Sequence, residues 1–209
     1  MFNKLKIRVL AVLYLLLHLP GCAVARKYAQ TPKGEIGGRL TLEWIGADKF
    51  IYRPDPAKPF YFKRANGEVI QPRSVYTDGG SIPRPLWAFR AYSPWGFGAA
   101  YVAHNWLFAA HHCHYPEAKN HTVFTAADVL SECMKTLMET NPNVIKSPEL
   151  LYTVDQAVRT KIAQNLWEKG ECQKPPPELP QAKTFTQPLE APTAQHRWVQ
   201  TYDFDRLEH

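Results

Sequence analysis

Ala99-Ala100-Tyr101-Val102-Ala103-His104-Asn105-Trp106-Leu107-Phe108-Ala109-Ala110 is the stretch on which the fold turns. Ala99, Val102, Ala103, Trp106, Leu107 and Ala110 recur at the spacing of one helix face. Tyr101 and Phe108 make the helix apolar on more than one side, which predicts a central, buried element. Upstream the period changes to two. Leu40, Leu42 and Trp44 alternate with Thr41, Glu43 and Ile45, and the pattern returns in Phe50/Tyr52 and Phe60/Phe62. Asn66-Gly67, lying between Phe60–Arg64 and Glu68–Gln71, is a hairpin signal, because both turn positions accept positive φ. These runs predict four or five short antiparallel strands between about residues 38 and 77.

Downstream the pattern stays helical. Thr125-Ala126-Ala127-Asp128 fits a capping box opening a helix that buries Val129, Leu130, Cys133, Met134 and Leu137. Ser147-Pro148 fits an N-cap followed by proline at the first helical position. The helix it opens carries Leu151, Val154, Val158 and Ile162 on one face and runs to about Gly170. The expected fold is therefore α+β, a small antiparallel sheet followed by about three helices, in one domain over residues 38–170. Lys174-Pro175-Pro176-Pro177 opens a Pro-rich tail, residues 171–209, expected to be mobile. Its end holds Trp198, Val199, Tyr202 and Phe204, which could dock as a short peptide.

The opening of the chain reads as an export signal. Lys4, Lys6 and Arg8 precede the apolar run Val9–Leu17, which is shorter than the roughly 20 residues that span a bilayer. Leu19-Pro20-Gly21-Cys22 resembles a bacterial lipobox, in which the peptidase cuts before a cysteine that is acylated. Residues 1–21 are then a signal peptide, Cys22 the lipidation site, and residues 22–37 a tether. The partner so implied is a membrane reached through the N-terminal lipid, and the location the bacterial cell envelope. Ala23-Val24-Ala25 offers an alternative cut before Arg26 that would leave a soluble secreted protein. Three of the four cysteines, Cys113, Cys133 and Cys172, then remain for at most one internal disulfide, with all three pairings open. The formal charge of +6 is scattered, without a long basic run, so a nucleic-acid partner is not expected.

One constellation has the residue types of a site. Thr77-Asp78-Gly79-Gly80-Ser81-Ile82-Pro83-Arg84 precedes the central helix, with its His104-Asn105-Trp106-Leu107-Phe108, and Ala127-Asp128-Val129 follows in the next. In this order the segments resemble an uncharacterised bacterial and phage family, number thirteen-fifty-three in the domain-of-unknown-function series. The resemblance covers about residues 36 to 140 and brings no established activity. That family has His-Asp where this chain has His104-Asn105. An amide is no general base, although it still makes hydrogen bonds.

A catalytic set would comprise Asp78 orienting His104, with Ser81 as nucleophile or hydrogen-bond partner and Asp128 as a further carboxylate. A metal held by Asp78, His104 and Asp128 is a variant of it. Structural roles compete. Asp78 can bond its own turn, Ser81 can cap a short helix at 83–88, Asp128 can serve the capping box, and His104 with Asn105 can form a satisfied core network. No Cys-x₂-Cys spacing is present, and no cofactor or metal is expected. His111-His112-Cys113-His114 reads as imidazoles complementing the helix C-terminus. The leading expectation is an envelope protein that binds an envelope partner or cell-wall ligand, with Asn105 a binding residue. The alternative is an envelope hydrolase using His104 and Asp78.

Overall fold

A computed structural model of the chain describes residues 21–46, 49–77, 94–176 and 198–206. Its architecture is α+β, with helices packed beside two antiparallel sheets. β1 (Glu35–Gly37), β4 (Tyr61–Lys63) and β5 (Val69–Ile70) form one sheet, in the order β1-β4-β5. β2 (Arg39–Gly46), β3 (Lys49–Pro54), β6 (Val75–Thr77) and β7 (Trp198–Asp203) form the other, in the order β6-β3-β2-β7. A single sheet was the expectation. The split occurs at Gly38, between β1 and β2, where φ is 78° and a Cβ would lie 2.2 Å from the Pro59 carbonyl oxygen. Only glycine accepts both the conformation and the approach. A hairpin forms at Asn66-Gly67, with Phe62 opposite Ile70, but only Gly67 takes positive φ (89°), and the turn closes from the Gly67 N–H to the Arg64 carbonyl.

α2 (Gly98–His112) is the central helix. Ala99, Val102, Ala103, Trp106, Leu107 and Ala110 are all buried, as their spacing predicts, and Tyr101 with them. Its first residue, Gly98, rests against Leu40 and Leu42 of β2. α3 (Val123–Thr140) packs along it and buries Val129, Leu130, Cys133, Met134 and Leu137. The cap of α3 lies three residues earlier than predicted. Thr122 is the N-cap and exchanges side-chain–backbone hydrogen bonds with Thr125, so Asp128 takes no part in the box.

The expected third helix is two. α4 (Pro148–Ala157) starts as read, with Ser147 accepting from the Leu150 N–H at 3.1 Å. It stops because Thr160 caps a new helix, α5 (Lys161–Lys169). Leu151, Val154 and Val158 are buried, but Ile162 lies beyond the break and is 73% exposed.

Two further expectations are corrected. Residues 21–30 are helical (α1) and docked onto the domain, where a tether over residues 22–37 was predicted. Lys135 Nζ donates to the carbonyls of Tyr28 and Thr31 at 2.9 and 2.7 Å, closing the C-terminus of α1. Such a cation satisfies carbonyls that the helix itself cannot. Secondly, the end of the Pro-rich tail is ordered. β7 pairs along β2 from Arg39↔Asp203 to Trp44↔Trp198, and the Phe204 ring packs 5.9 Å from that of Phe60.

Candidate functional site

His104 sits midway along α2 on the side facing α3 and is 4% exposed. Its Nδ1 lies 3.0 Å from the Ala126 carbonyl oxygen. A carbonyl can only accept, so Nδ1 carries the proton, and in the neutral ring Nε2 keeps the lone pair. The ring also packs on Phe108, with centroids 4.9 Å apart. The sequence reading gave the task of orienting this imidazole to Asp78. At Nδ1 the acceptor is a backbone carbonyl of α3. Asp78 and Ser81 lie outside the described residues.

Asn105 turns to the sheet. Its Nδ2 donates to Thr77 Oγ1 at 3.0 Å. Thr77 is the buried last residue of β6, held opposite Phe50. The residue before Asp78 is thus tied to the residue after His104, which brings the two halves of the sequence constellation together. An amide donor suits this contact, because a carboxylate at position 105 would need the Thr77 hydroxyl to donate.

Asp128 belongs to a different structure. It lies two residues beyond Ala126, about 200° around the α3 axis. Its carboxylate pairs with Arg159. Arg159 in turn reaches Asp155, which is 1% exposed and also binds Ser131 Oγ and Lys27 Nζ, both at 2.8 Å. This network joins α1, α3 and α4. Burial pushes the Asp155 carboxyl up, but hydrogen bonds from Arg159, Lys27 and Ser131 outweigh it and hold the group below the usual carboxylate range. The proposed grouping of Asp128 with His104 is therefore corrected: the acid is part of a helix-joining ion pair. Sequence reading missed the network. Its signal was Asp155, an acid set within the apolar stripe Leu151/Val154/Val158 and four residues before Arg159.

The histidine run is built for packing. His111 stacks on Trp167, with centroids 4.2 Å apart. Burial first, then the neighbouring His112 and His114, push its imidazole down. His112 Nε2 lies 3.0 and 3.1 Å from the carbonyls of Leu166 and Trp167. It therefore serves the C-terminus of α5, where the sequence reading assigned these imidazoles to their own helix. Cys113 and Cys172 form a disulfide beside it, one of the three pairings left open by the sequence, while Cys133 is a buried thiol and Cys22 is exposed. Among the described residues no three His, Cys, Asp or Glu side chains are grouped to hold a metal ion. No helix among them is long and apolar enough to cross a membrane.

No family model, curated protein or solved structure matches this chain.

Proposed function

We propose that the chain is an exported bacterial envelope protein, held to a bilayer by an acylated Cys22, whose folded domain acts by binding an envelope partner or cell-wall ligand. The observation that carries export is the Cys113–Cys172 disulfide. Such bonds persist in oxidising compartments and are reduced in the bacterial cytosol. It supports reading Lys4–Leu17 as a secretory signal. Binding in place of chemistry is supported by what the polar groups already do: Asn105 donates to Thr77 and Asp128 is paired with Arg159. Kinship with the uncharacterised family is supported by the meeting of Thr77 and Asn105, one residue from each of its two leading motifs.

Mass spectrometry of the mature N-terminus from a membrane fraction tests the anchor. The expected species begins at Cys22 and carries acyl chains; an unmodified start at Arg26 overturns the lipoprotein reading.

One observation favours the hydrolase as a second reading. The Ala126 carbonyl accepts from Nδ1 of His104 and holds the buried imidazole in one orientation, which supports a general-base role. A His104→Asn variant separates the two, because its amide N–H can replace Nδ1–H while the Nε2 lone pair is gone. If that variant keeps the wild-type melting temperature and still complements a deletion strain, the binding reading stands. Failure to complement at an unchanged melting temperature selects the hydrolase.

A further inference from the structure

Three large apolar side chains are exposed near one end of the helical layer: Phe124 (47%) in the first turn of α3, and Ile162 (73%) and Leu166 (54%) one turn apart on α5. The same end carries Cys22. α1 lies beside α3 and runs in the same direction. Lys27 meets Asp155 at the level of Ser131, and four residues on, the Thr31 carbonyl meets Lys135. Further along, the Gly34 N–H donates to Thr136. Five residues back from Lys27 the helix has moved about 7.5 Å toward the start of α3. That is the level at which Arg159 pairs with Asp128 and α4 gives way to α5.

The docking of α1 sharpens the consequence. An extended tether would let the domain hang at any angle below its anchor. Instead Cys22 projects from a helix pinned by Lys27–Asp155 and by Lys135 on its last carbonyls. There is little slack between the acylation point and the domain, so the end that bears Cys22 has to face the bilayer. The side chains found there suit that position. Lys161 and Lys169 are exposed on α5 beside Ile162 and Leu166, Arg26 is exposed on α1 one turn from Cys22, and Glu168 is the single acid of α5. Apolar residues bordered by cations are what an anionic lipid interface accepts, and an acyl chain is more firmly held when a second such signal accompanies it.

We infer that the Cys22 end of the domain is seated on an anionic lipid surface, with Ile162, Leu166 and Phe124 entering the boundary between headgroups and acyl chains. This rests on the reading of Cys22 as acylated.

The test compares two exposed residues. Ile162 lies at the Cys22 end; Ile145, 50% exposed, precedes α4 next to Lys146, whose amine lies 5.5 Å from the Tyr28 ring at the opposite end. Full chains bearing Ile162→Cys, Leu166→Cys or Ile145→Cys are taken from membranes and labelled with a small fluorophore. The native cysteines are acylated, disulfide-bonded or buried. The chains are then reconstituted into phosphatidylglycerol–phosphatidylethanolamine vesicles containing brominated acyl chains. The expected result is at least a twofold loss of fluorescence at positions 162 and 166 and none at 145. Equal quenching at all three, quenching at 145 alone, or no quenching overturns the seating. The mass of the N-terminal peptide is read from the same samples. Acylated Cys22 with an unquenched position 162 refutes the seating and leaves the anchor intact. A start at Arg26 with position 162 still quenched keeps the seating and removes the anchor, and the same start without quenching removes both.

Discussion

Asp155 shows how much one side chain can hold. Its carboxylate receives Lys27 from α1, Ser131 from α3 and Arg159 from the turn between α4 and α5 while being almost wholly removed from water. Breaking a buried pair leaves the partners' charges behind, so Asp155→Asn is expected to cost about 3 kcal/mol in urea unfolding at neutral pH. The value sits at the low end for such pairs, because Arg159 keeps Asp128 and Lys27 is partly exposed. The pH dependence follows from the direction of the shift. The folded carboxyl binds its proton less readily than the unfolded one. Its contribution is therefore complete above the unfolded value and is lost as pH falls through the folded one. The stability difference between wild type and Asp155→Asn should shrink between about pH 5 and pH 2; a difference that stays constant over that range would refute the assignment. At this scale the sequence was only partly legible. His104 and Asn105 stood out as polar residues in an apolar helix, and both prove to be bonded there. The contact of His104 with Ala126 could not be read, because a backbone carbonyl carries no residue identity and the Ala126 oxygen reaches His104 only through the packing of two helices.

Local pattern and local chemistry are enough for a helix when nothing competes, and they mislead when two patterns overlap. The six-residue face of α2 and the Ser147-Pro148 start of α4 were legible because each is a contiguous signal. At α3 two overlapping candidates existed. Thr125-x-x-Asp128 matched the usual capping pattern, but Thr122 is the residue with extended backbone (φ −123°, ψ 170°), which is what an N-cap needs to turn its hydroxyl onto the first free N–H groups. Thr122→Ala should therefore cost about 1 kcal/mol. Asp128→Ala, which removes a partly exposed ion pair, should cost under about 1 kcal/mol. The reversed order in chemical denaturation would restore the cap to Thr125. At Thr160 a single hydroxyl breaks what the apolar spacing reads as one helix, and it is this break that leaves Ile162 facing solvent. The apolar end of the tail was legible as a segment able to dock, but its pairing as β7 was illegible for a different reason. Its partner β2 is some 160 residues away (Thr41 opposite Thr201), and such a pairing leaves no periodicity in the intervening chain.

At the scale of the whole molecule, the disulfide and β7 together decide how the chain is closed. Cys113 ends α2 and Cys172 follows α5, so the bond encloses α3, α4 and α5 in one loop with a sequence separation of 59. Four residues on, the Pro176 carbonyl accepts from Arg53 at 3.0 Å, where Arg53 is already paired with Glu43 in a buried contact on the four-stranded sheet. The tail therefore leaves the helices at a covalent point, touches the sheet at Pro176, and is paired with it as β7. Closing a loop of this length lowers the entropy of the unfolded chain, which corresponds to about 4 kcal/mol of stability in the chain-entropy treatment. A Cys113→Ala/Cys172→Ala double variant should lose up to that amount in urea unfolding yet remain folded, because the core of α2, α3 and α4 does not depend on the bond. The thiols give an independent check on the pairing. Burial pushes the Cys133 thiol well up from its ordinary value, so it should resist alkylation in the native protein and react only in urea. Cys113 and Cys172 should react only after reduction. If Cys133 is found in the disulfide, the enclosed loop is a different one and the path assigned to the tail fails with it; if Cys133 is alkylated at the native rate of an exposed thiol, its burial fails.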